Sequence, residues 1–205
     1  MGKIGSRRVG ATAGWLLAAC SAGQVAAATD YGVAGNATFN GNASVLADGL
    51  FLGASYTMAT GAIGAGAFKF QGATVGDGVT ELTYQLDQDV ASAGQVGADG
   101  LAALADASLR LTVVDMTYNG SPRVVGVDCV FEPIHIALDG SGSAGGLVLS
   151  SNGFVIAPID GNACNGFAGT INTLLAGNTN SITLRIDGDF APPGTIFFAG
   201  FEPVR

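Results

Sequence analysis

The stretch 123–138, RVVGVDCVFEPIHIAL, decides the predicted fold. Because successive side chains of a strand point to opposite faces, apolar residues at every second position predict strands with one face in a core. Pro133 has no N–H to donate to a ladder, so it predicts a bulge, a kink or an edge. The alternating apolar residues around it are Val125, Val127, Cys129 and Phe131, then Ile134, Ile136 and Leu138.

His135 is the only histidine in the chain and falls on the face opposite the apolar set. Catalysis by a histidine base would need His135, with Glu132 as its nearest acidic neighbour before it in the sequence. No nucleophile motif accompanies it, since Gly140-Ser141-Gly142-Ser143 lacks the Gly-x-Ser-x-Gly pattern. We interpret His135 as a strand residue on the outer face and predict that the protein is not an enzyme.

Composition favours many short strands over long helices. Of the 205 residues, 48% are hydrophobic, 12% are charged and 33 are glycine, so apolar material for a core is ample. One helix is predicted from Phe167, Ile171, Leu174 and Leu175, which stand at helical spacing, with Gly177 as its C-cap. The predicted fold is a single antiparallel β-sandwich, broadly immunoglobulin-like, with one short helix and one disulfide bond.

Three connecting segments are assigned from their residue types. The alanine-rich residues 102–107 predict a helical turn. Residues 139–146, DGSGSAGG, predict a flexible loop after a strand that ends at Asp139-Gly140. Asn119-Gly120-Ser121-Pro122 predicts a tight turn that leads the chain into the 123–138 stretch.

The first 28 residues have the pattern of a secretory signal peptide. A basic segment with Lys3, Arg7 and Arg8 precedes an apolar segment, and Ala26-Ala27-Ala28 supplies an Ala-x-Ala cleavage site. Cleavage after Ala28 would divide the chain into a signal peptide (1–28), a β-sandwich domain (29–190) and a C-terminal tail (191–205). The protein is then secreted or located in the outer cell envelope, with no transmembrane segment after signal removal.

Two other export routes compete with cleavage after Ala28. Leu17-Ala18-Ala19-Cys20 resembles a bacterial lipobox, in which Cys20 is lipidated and tethers the protein to a membrane. Ser6-Arg7-Arg8 resembles part of a twin-arginine signal, although the phenylalanine-leucine pair that normally follows is missing. Cleavage after Ala28 is favoured because a strand-like segment starts almost at once at Thr29, where a lipoprotein usually keeps a polar tether.

The charge balance argues against nucleic acid as a partner. The chain carries eight basic and sixteen acidic residues, a formal net charge of −8. Because Lys3, Arg7 and Arg8 leave with the signal peptide, the mature chain falls from −8 to −11. This acidity repels phosphates and anionic lipid surfaces.

Cys129 and Cys164 are the cysteines that remain after export, so we predict a disulfide bond between them. In the chain-entropy description, closing that loop of about 35 residues stabilises the fold by about 3–4 kcal/mol. Metal binding by the two cysteines and His135 is the rival interpretation, but it lacks a fourth ligand.

No cofactor is predicted, and calcium is the ion that the sequence would suit best. Carboxylate and carbonyl oxygens are the ligands that calcium prefers, and they are frequent in turns that contain aspartate. None of these turns has the EF-hand spacing, and ordinary hairpins explain them equally well. They are Asp77-Gly78, Asp139-Gly140-Ser141, Asp160-Gly161-Asn162 and Asp187-Gly188-Asp189.

The end of the chain resembles a short ending found in a group of bacterial proteins. Residues 196–202, Ile-Phe-Phe-Ala-Gly-Phe-Glu, resemble the Ile-Phe-x-x-Gly-Phe-Glu tail of uncharacterised secreted proteins of gammaproteobacteria. The resemblance covers fewer than ten residues and implies bacterial export, without implying an activity. The tail is either a sorting signal or a final strand.

Export and the missing catalytic motifs together favour a binding function. We predict an exported, non-catalytic module of the cell envelope or extracellular space, for adhesion, matrix structure or binding of a protein or glycan partner at the cell surface. An extracellular hydrolase is the first alternative, because sixteen acidic residues could supply paired carboxylates. A pilin-like subunit completed by a neighbour's strand is the second.

Overall fold

The computed structural model describes residues 27–195, which form eleven β-strands and one short α-helix. The helix α1 (Ala168–Leu175) follows a 3-10 turn at Cys164–Gly166. The strands are β1 (Thr29–Phe39), β2 (Asn42–Ala54), β3 (Tyr56–Thr57), β4 (Ala62–Gly76), β5 (Thr80–Gln88), β6 (Ser92–Val96), β7 (Leu101–Tyr118), β8 (Ser121–Arg123), β9 (Val130–Ser143), β10 (Gly146–Ile156) and β11 (Gly177–Ile186).

The strands form one antiparallel sheet that closes into an eight-stranded barrel, which corrects the predicted immunoglobulin-like sandwich. Going round the barrel, the strands are β1, β2, β4, β5, β7, β9, β10 and β11. Two pairings close it. β1 lies beside β11, with Val33 opposite Ile186 and Thr38 opposite Ser181, and β2 lies beside β4. A sandwich needs two sheets with free edges, and these pairings join the edges. The all-β class is confirmed.

The interior of the barrel is filled with side chains, many of them aromatic. Phe51 and Phe68 stack with ring centroids 4.5 Å apart, and Phe39 meets Tyr84 edge-on at 5.6 Å. Phe70 covers Gly49 so closely that a Cβ atom there would lie 2.1 Å from the ring. Glycine is therefore required at position 49 by the space available. Small barrels are filled in this way by inward-facing residues.

The structure confirms the second half of the 123–138 stretch and corrects the first. In β9, Ile134, Ile136 and Leu138 are buried while His135 is exposed. The pairing with β7 shifts around Pro133, which confirms the predicted bulge. Val125 and Val127, however, precede β9 and belong to no strand, because the Cys129 N–H turns back to the carbonyl of Gly126.

Two connecting segments and the end of the helix also differ from prediction. Residues 102–107 belong to β7, where pairing with β6 and β9 on its two sides overrides any helical tendency of alanine. β9 continues through Asp139-Gly140 to Ser143 and forms a hairpin with β10. Helix α1 ends with Ala176 as C-cap, because Gly177 already pairs in β11. The turn at Asn119-Gly120 is confirmed between β7 and β8.

Different segments cover the two ends of the barrel. Residues 157–176, here the lid segment, connect β10 to β11 and contain α1. They cover the end of the barrel at which β9 begins. Residues 187–195, here the strap, follow β11 at the opposite end. Val33 and Ile186 mark the strap end of their strands, and Thr38 and Ser181 mark the lid end.

Candidate functional site

The lid end holds the disulfide bond. Cys129 and Cys164 are bonded, with their Cα atoms 4.6 Å apart, and both side chains are fully buried. The predicted bond is therefore confirmed, and it leaves neither cysteine as a thiolate that could bind a metal ion. Because Cys129 precedes β9 and Cys164 lies in the lid segment, the bond fastens the lid segment to the barrel wall.

Three further hydrogen bonds fix residues 124–128, here the valine loop: two join it to the lid segment and one closes its own turn. The Asn165 side chain donates from Nδ2 to the Val124 carbonyl at 3.1 Å, and the Cys164 N–H donates to Asp128 Oδ1 at 3.2 Å. The turn from Cys129 N–H to the Gly126 carbonyl completes the set. Fixed in this way, the loop exposes 80% of Val124 and 99% of Val127.

The backbone of the lid segment is strained where it meets the valine loop. Cys164 and Asn165 have φ angles of 56° and 54°, in the left-handed region that side chains disfavour. Such conformations persist only where surrounding contacts impose them, and they concentrate at functional sites. Here the disulfide bond and the Asn165 side-chain contact supply those constraints.

A β-bulge exposes a third valine beside the valine loop. On β7, Val113 pairs with Tyr84 and Asp115 pairs with Thr83, so Val114 has no partner on β5. Val114 and Asp115 both face outward as a result, with 45% of Val114 exposed. Bulges commonly redirect side chains in this way next to binding sites.

The lid segment also contacts the opposite side of the barrel. The side-chain amides of Asn40 and Asn42 donate to the carbonyls of Thr173 at 2.8 Å and Leu174 at 3.4 Å. These bonds satisfy carbonyls at the C-terminal end of α1, which an isolated helix would leave unpaired. The buried face of α1 is made of Ala168, Ile171, Leu174 and Leu175.

The strap closes the other end with aromatic packing. Phe190 is fully buried between Tyr31 and Tyr56, with ring centroids 5.1 and 5.2 Å away. Its N–H donates to the Ser143 carbonyl, and the Tyr56 hydroxyl donates to the Ala191 carbonyl. Burial, and then the charge of Asp189, raise the pKa of Tyr56 above its ordinary value. This hydroxyl therefore stays protonated as a donor at neutral pH.

Arg110 lies among three acidic side chains on the outer wall, and no sequence motif indicates this cluster. Arg110 donates to Glu132 on β9 and lies 3.6 Å from Asp89. The hydrogen bond from Arg110 to Glu132, followed by the charge of Asp89, raises the pKa of Arg110. Asp87, opposite Arg110 in the β5–β7 register, adds only its charge to these causes, and its Oδ1 is buried without a hydrogen-bond partner. Arg110, Glu132 and Asp89 form a structural ion-pair network.

His135 lies on the outer face of β9, opposite Ser108 of β7. Glu132, its nearest acidic neighbour before it in the sequence, is paired with Arg110 instead. Ser141 and Ser143 lie at the strap-end half of β9, several residues further along the strand. The structure therefore does not bring Ser141 or Ser143 to His135, and Glu132 is engaged by Arg110.

The aspartate turns are distributed between the two ends. Asp77 and Asp160 lie at the lid end and accept hydrogen bonds from their own turns, whereas Asp187 and Asp189 lie at the strap end. Asp139 lies inside β9. Between residues 27 and 195, no group of three or more histidine, cysteine, aspartate or glutamate side chains is placed to hold a metal ion. The calcium hypothesis remains untested.

One polar pair lies inside the apolar interior. The Tyr84 and Ser44 hydroxyl oxygens are 2.6 Å apart, and Ser44 also donates to the Thr74 carbonyl. Burial raises the pKa of Tyr84 to about 12. The phenol is therefore neutral and hydrogen-bonded at neutral pH, as buried hydroxyls require.

Comparisons with protein-family models, with curated proteins and with solved structures find no match to this chain. In the part of the chain that the structure describes, no helix combines the length and the apolar character needed to cross a membrane. β1 begins at Thr29, directly after the predicted cleavage site at Ala28. The alternative lipidation site Cys20 and the resemblance at 196–202 lie outside the described residues.

Proposed function

We propose that this chain is an exported, non-catalytic module that binds a partner in the cell envelope or the extracellular space. The observation that supports it best is the valine loop. A disulfide bond, which forms and persists in oxidising compartments, anchors the end of this loop at Cys129 while Val127 is almost fully exposed. A fixed, exposed apolar loop is costly for a chain that binds nothing, because exposed apolar surface favours aggregation.

The filled interior supports binding on the outer surface of the barrel. Barrels that carry small ligands keep an internal cavity open at one end. Here Phe39, Phe51, Phe68 and Tyr84 occupy the interior, the lid segment covers one end and the strap covers the other. A partner therefore meets loops and outward-facing strand residues.

Export and binding are tested with one preparation of native protein. Intact mass from culture medium and from membrane fractions, with and without reductant, gives the N-terminus and the thiol state. We expect a chain that begins at Thr29 in the medium and is lighter than its reduced form by two hydrogen atoms. A lipid group on Cys20 in the membrane fraction would instead establish a tethered lipoprotein.

Binding is measured with the fluorescently labelled mature chain and envelope prepared from the producing cells. We expect saturable binding that excess unlabelled chain displaces. The absence of saturable binding, or turnover of ester, peptide or glycan substrates by the purified chain, would contradict the proposal.

A further inference from the structure

We propose that Val114, Val124 and Val127 form one binding surface, here the valine surface, for a protein partner with lysine or arginine side chains around an apolar contact area. This inference rests on the proposed function and specifies its site. The three side chains are 45%, 80% and 99% exposed.

The sheet register places the three valines together. Met116 of β7 pairs with Arg123 of β8, and the Val113 N–H donates to the Cys129 carbonyl. Residues 124–128 therefore run alongside the part of β7 that contains Val114 and Asp115. The bulge that exposes Val114 lies in the same stretch.

The surface is preorganised for binding. The disulfide bond and the contacts of Asn165 and Asp128 hold the valine loop without any partner. Ordering a loop on association normally costs binding free energy, and a loop that is already fixed avoids that cost. Burying these apolar side chains at the centre of a contact then contributes affinity, because their surface is removed from water.

Charge identifies the chemistry of the partner. Asp115 and Asp128 are exposed beside the valines, and each uses Oδ1 for a single backbone N–H, from Met116 and Cys164 respectively. Their remaining oxygens can pair with cations. Arg123 is the only basic residue between positions 113 and 129. A partner with lysine or arginine around an apolar centre complements this pattern, whereas phosphate-rich lipid or nucleic acid is repelled.

The experiment compares matched pairs of variants in the envelope-binding assay. The test pair is V124S/V127S, and its control is V90S/L101S, which removes side chains that are 67% and 66% exposed near the strap end. The charge pair is D115N/D128N, since asparagine keeps the oxygen that accepts the backbone N–H. Its control is D99N/D139N, which removes the same charge near the strap end.

We expect V124S/V127S to weaken binding at least about tenfold, while its control stays within about twofold of the unaltered chain. D115N/D128N should weaken binding about three- to tenfold at about 50 mM salt and much less at about 300 mM, because salt screens exposed charges. Protease treatment of the envelope should abolish binding.

Four other results would overturn this inference, and they show whether the site, the partner or the proposed function is wrong. Unaltered binding by V124S/V127S would place the site elsewhere and leave the proposed function intact. Tighter binding by D115N/D128N would reject a basic partner. Binding that survives protease, or binding to vesicles of phosphatidylethanolamine and phosphatidylglycerol, would replace the protein partner by lipid or glycan. If the unaltered chain does not bind the envelope at all, the proposed function fails as well.

Discussion

The two ends of the barrel are closed by different means. At the strap end, Phe190 packs between Tyr31 and Tyr56, and backbone hydrogen bonds join the strap to neighbouring strands. At the lid end, a disulfide bond and side-chain amides hold an irregular segment in place. The strap buries Phe190, whereas the valine loop exposes Val124 and Val127.

This difference between the two ends shows where the molecule can expose apolar side chains without losing stability. Apolar packing stabilises the strap only because the side chain is buried, so the same contacts cannot also serve a partner. Covalent and polar contacts, together with Val125 packed partly against the core, hold the valine loop without using the side chains of Val124 and Val127. Those side chains are therefore available for binding, at no cost to the core.

The largest effect is expected from removing the disulfide bond. The variant C129S/C164S should lose about 3–4 kcal/mol of unfolding free energy, because the unfolded chain regains the freedom of a loop of about 35 residues. Urea unfolding measures this loss. Hydrogen exchange should rise in residues 124–129 and 157–176 and remain low in the strap. Equal acceleration at both ends would show that the ends are not independent.

The second largest loss of stability is expected from a substitution in the strap. Phe190→Ala should cost about 3 kcal/mol, because it empties a fully buried aromatic site. Urea unfolding again gives the magnitude, and envelope binding should be unchanged under conditions where the variant is folded. Weaker binding by the folded variant would contradict the assignment of the site to the lid end.

Tyr84 lies in the interior between the two ends, and Tyr84→Phe should cost about 1 kcal/mol at neutral pH by removing the hydrogen bond to Ser44. In the native protein the pKa of Tyr84 is raised from 10.0 to about 12, so the unfolded chain releases this proton at lower pH. Native stability should therefore fall as pH rises from 10 to 12. Unfolding at a series of alkaline pH values should show a smaller fall for Tyr84→Phe, and an identical fall would contradict the assignment.

The smallest effect is expected at the turn between β4 and β5, which lies at the lid end but outside the lid segment. Hydrogen bonds from the Thr80 and Val79 N–H groups lower the pKa of Asp77. The stabilisation that its charge provides is present at neutral pH and disappears as pH falls through that lowered pKa. Asp77→Asn should remove this acid-dependent part, as measured by thermal unfolding between neutral and acidic pH. An unchanged pH profile would show that the turn does not depend on the charge.

Alternation of apolar and polar residues predicts burial correctly where the segment also pairs with neighbouring strands. Ile134, Ile136 and Leu138 alternate and are buried, and the same holds for Ile182, Leu184 and Ile186 of β11. Val125 and Val127 have the same spacing, yet Val127 is almost fully exposed. Gly126 between them and Asp128 directly after them are the local indication that the strand pattern fails, because both residue types favour turns.

The candidate site was partly predictable. The pairing of Cys129 with Cys164 follows from export and from the number of cysteines that remain. The valine surface does not follow, because alternation assigns Val125 and Val127 to a core face and gives no reason to expect the bulge at Val114. That bulge depends on the register between β5 and β7, which no single strand encodes.

The strand-rich composition, the acidic charge, the cysteine pair and the short helix can all be inferred from the amino-acid sequence. Closure of the sheet into a barrel and exposure of Val124 and Val127 emerge only from the folded chain, because alternation specifies which side of a strand is apolar but not which strand lies beside it. Pairing of β1 with β11 joins residues about 150 positions apart, and such pairings depend on the packing of the whole chain.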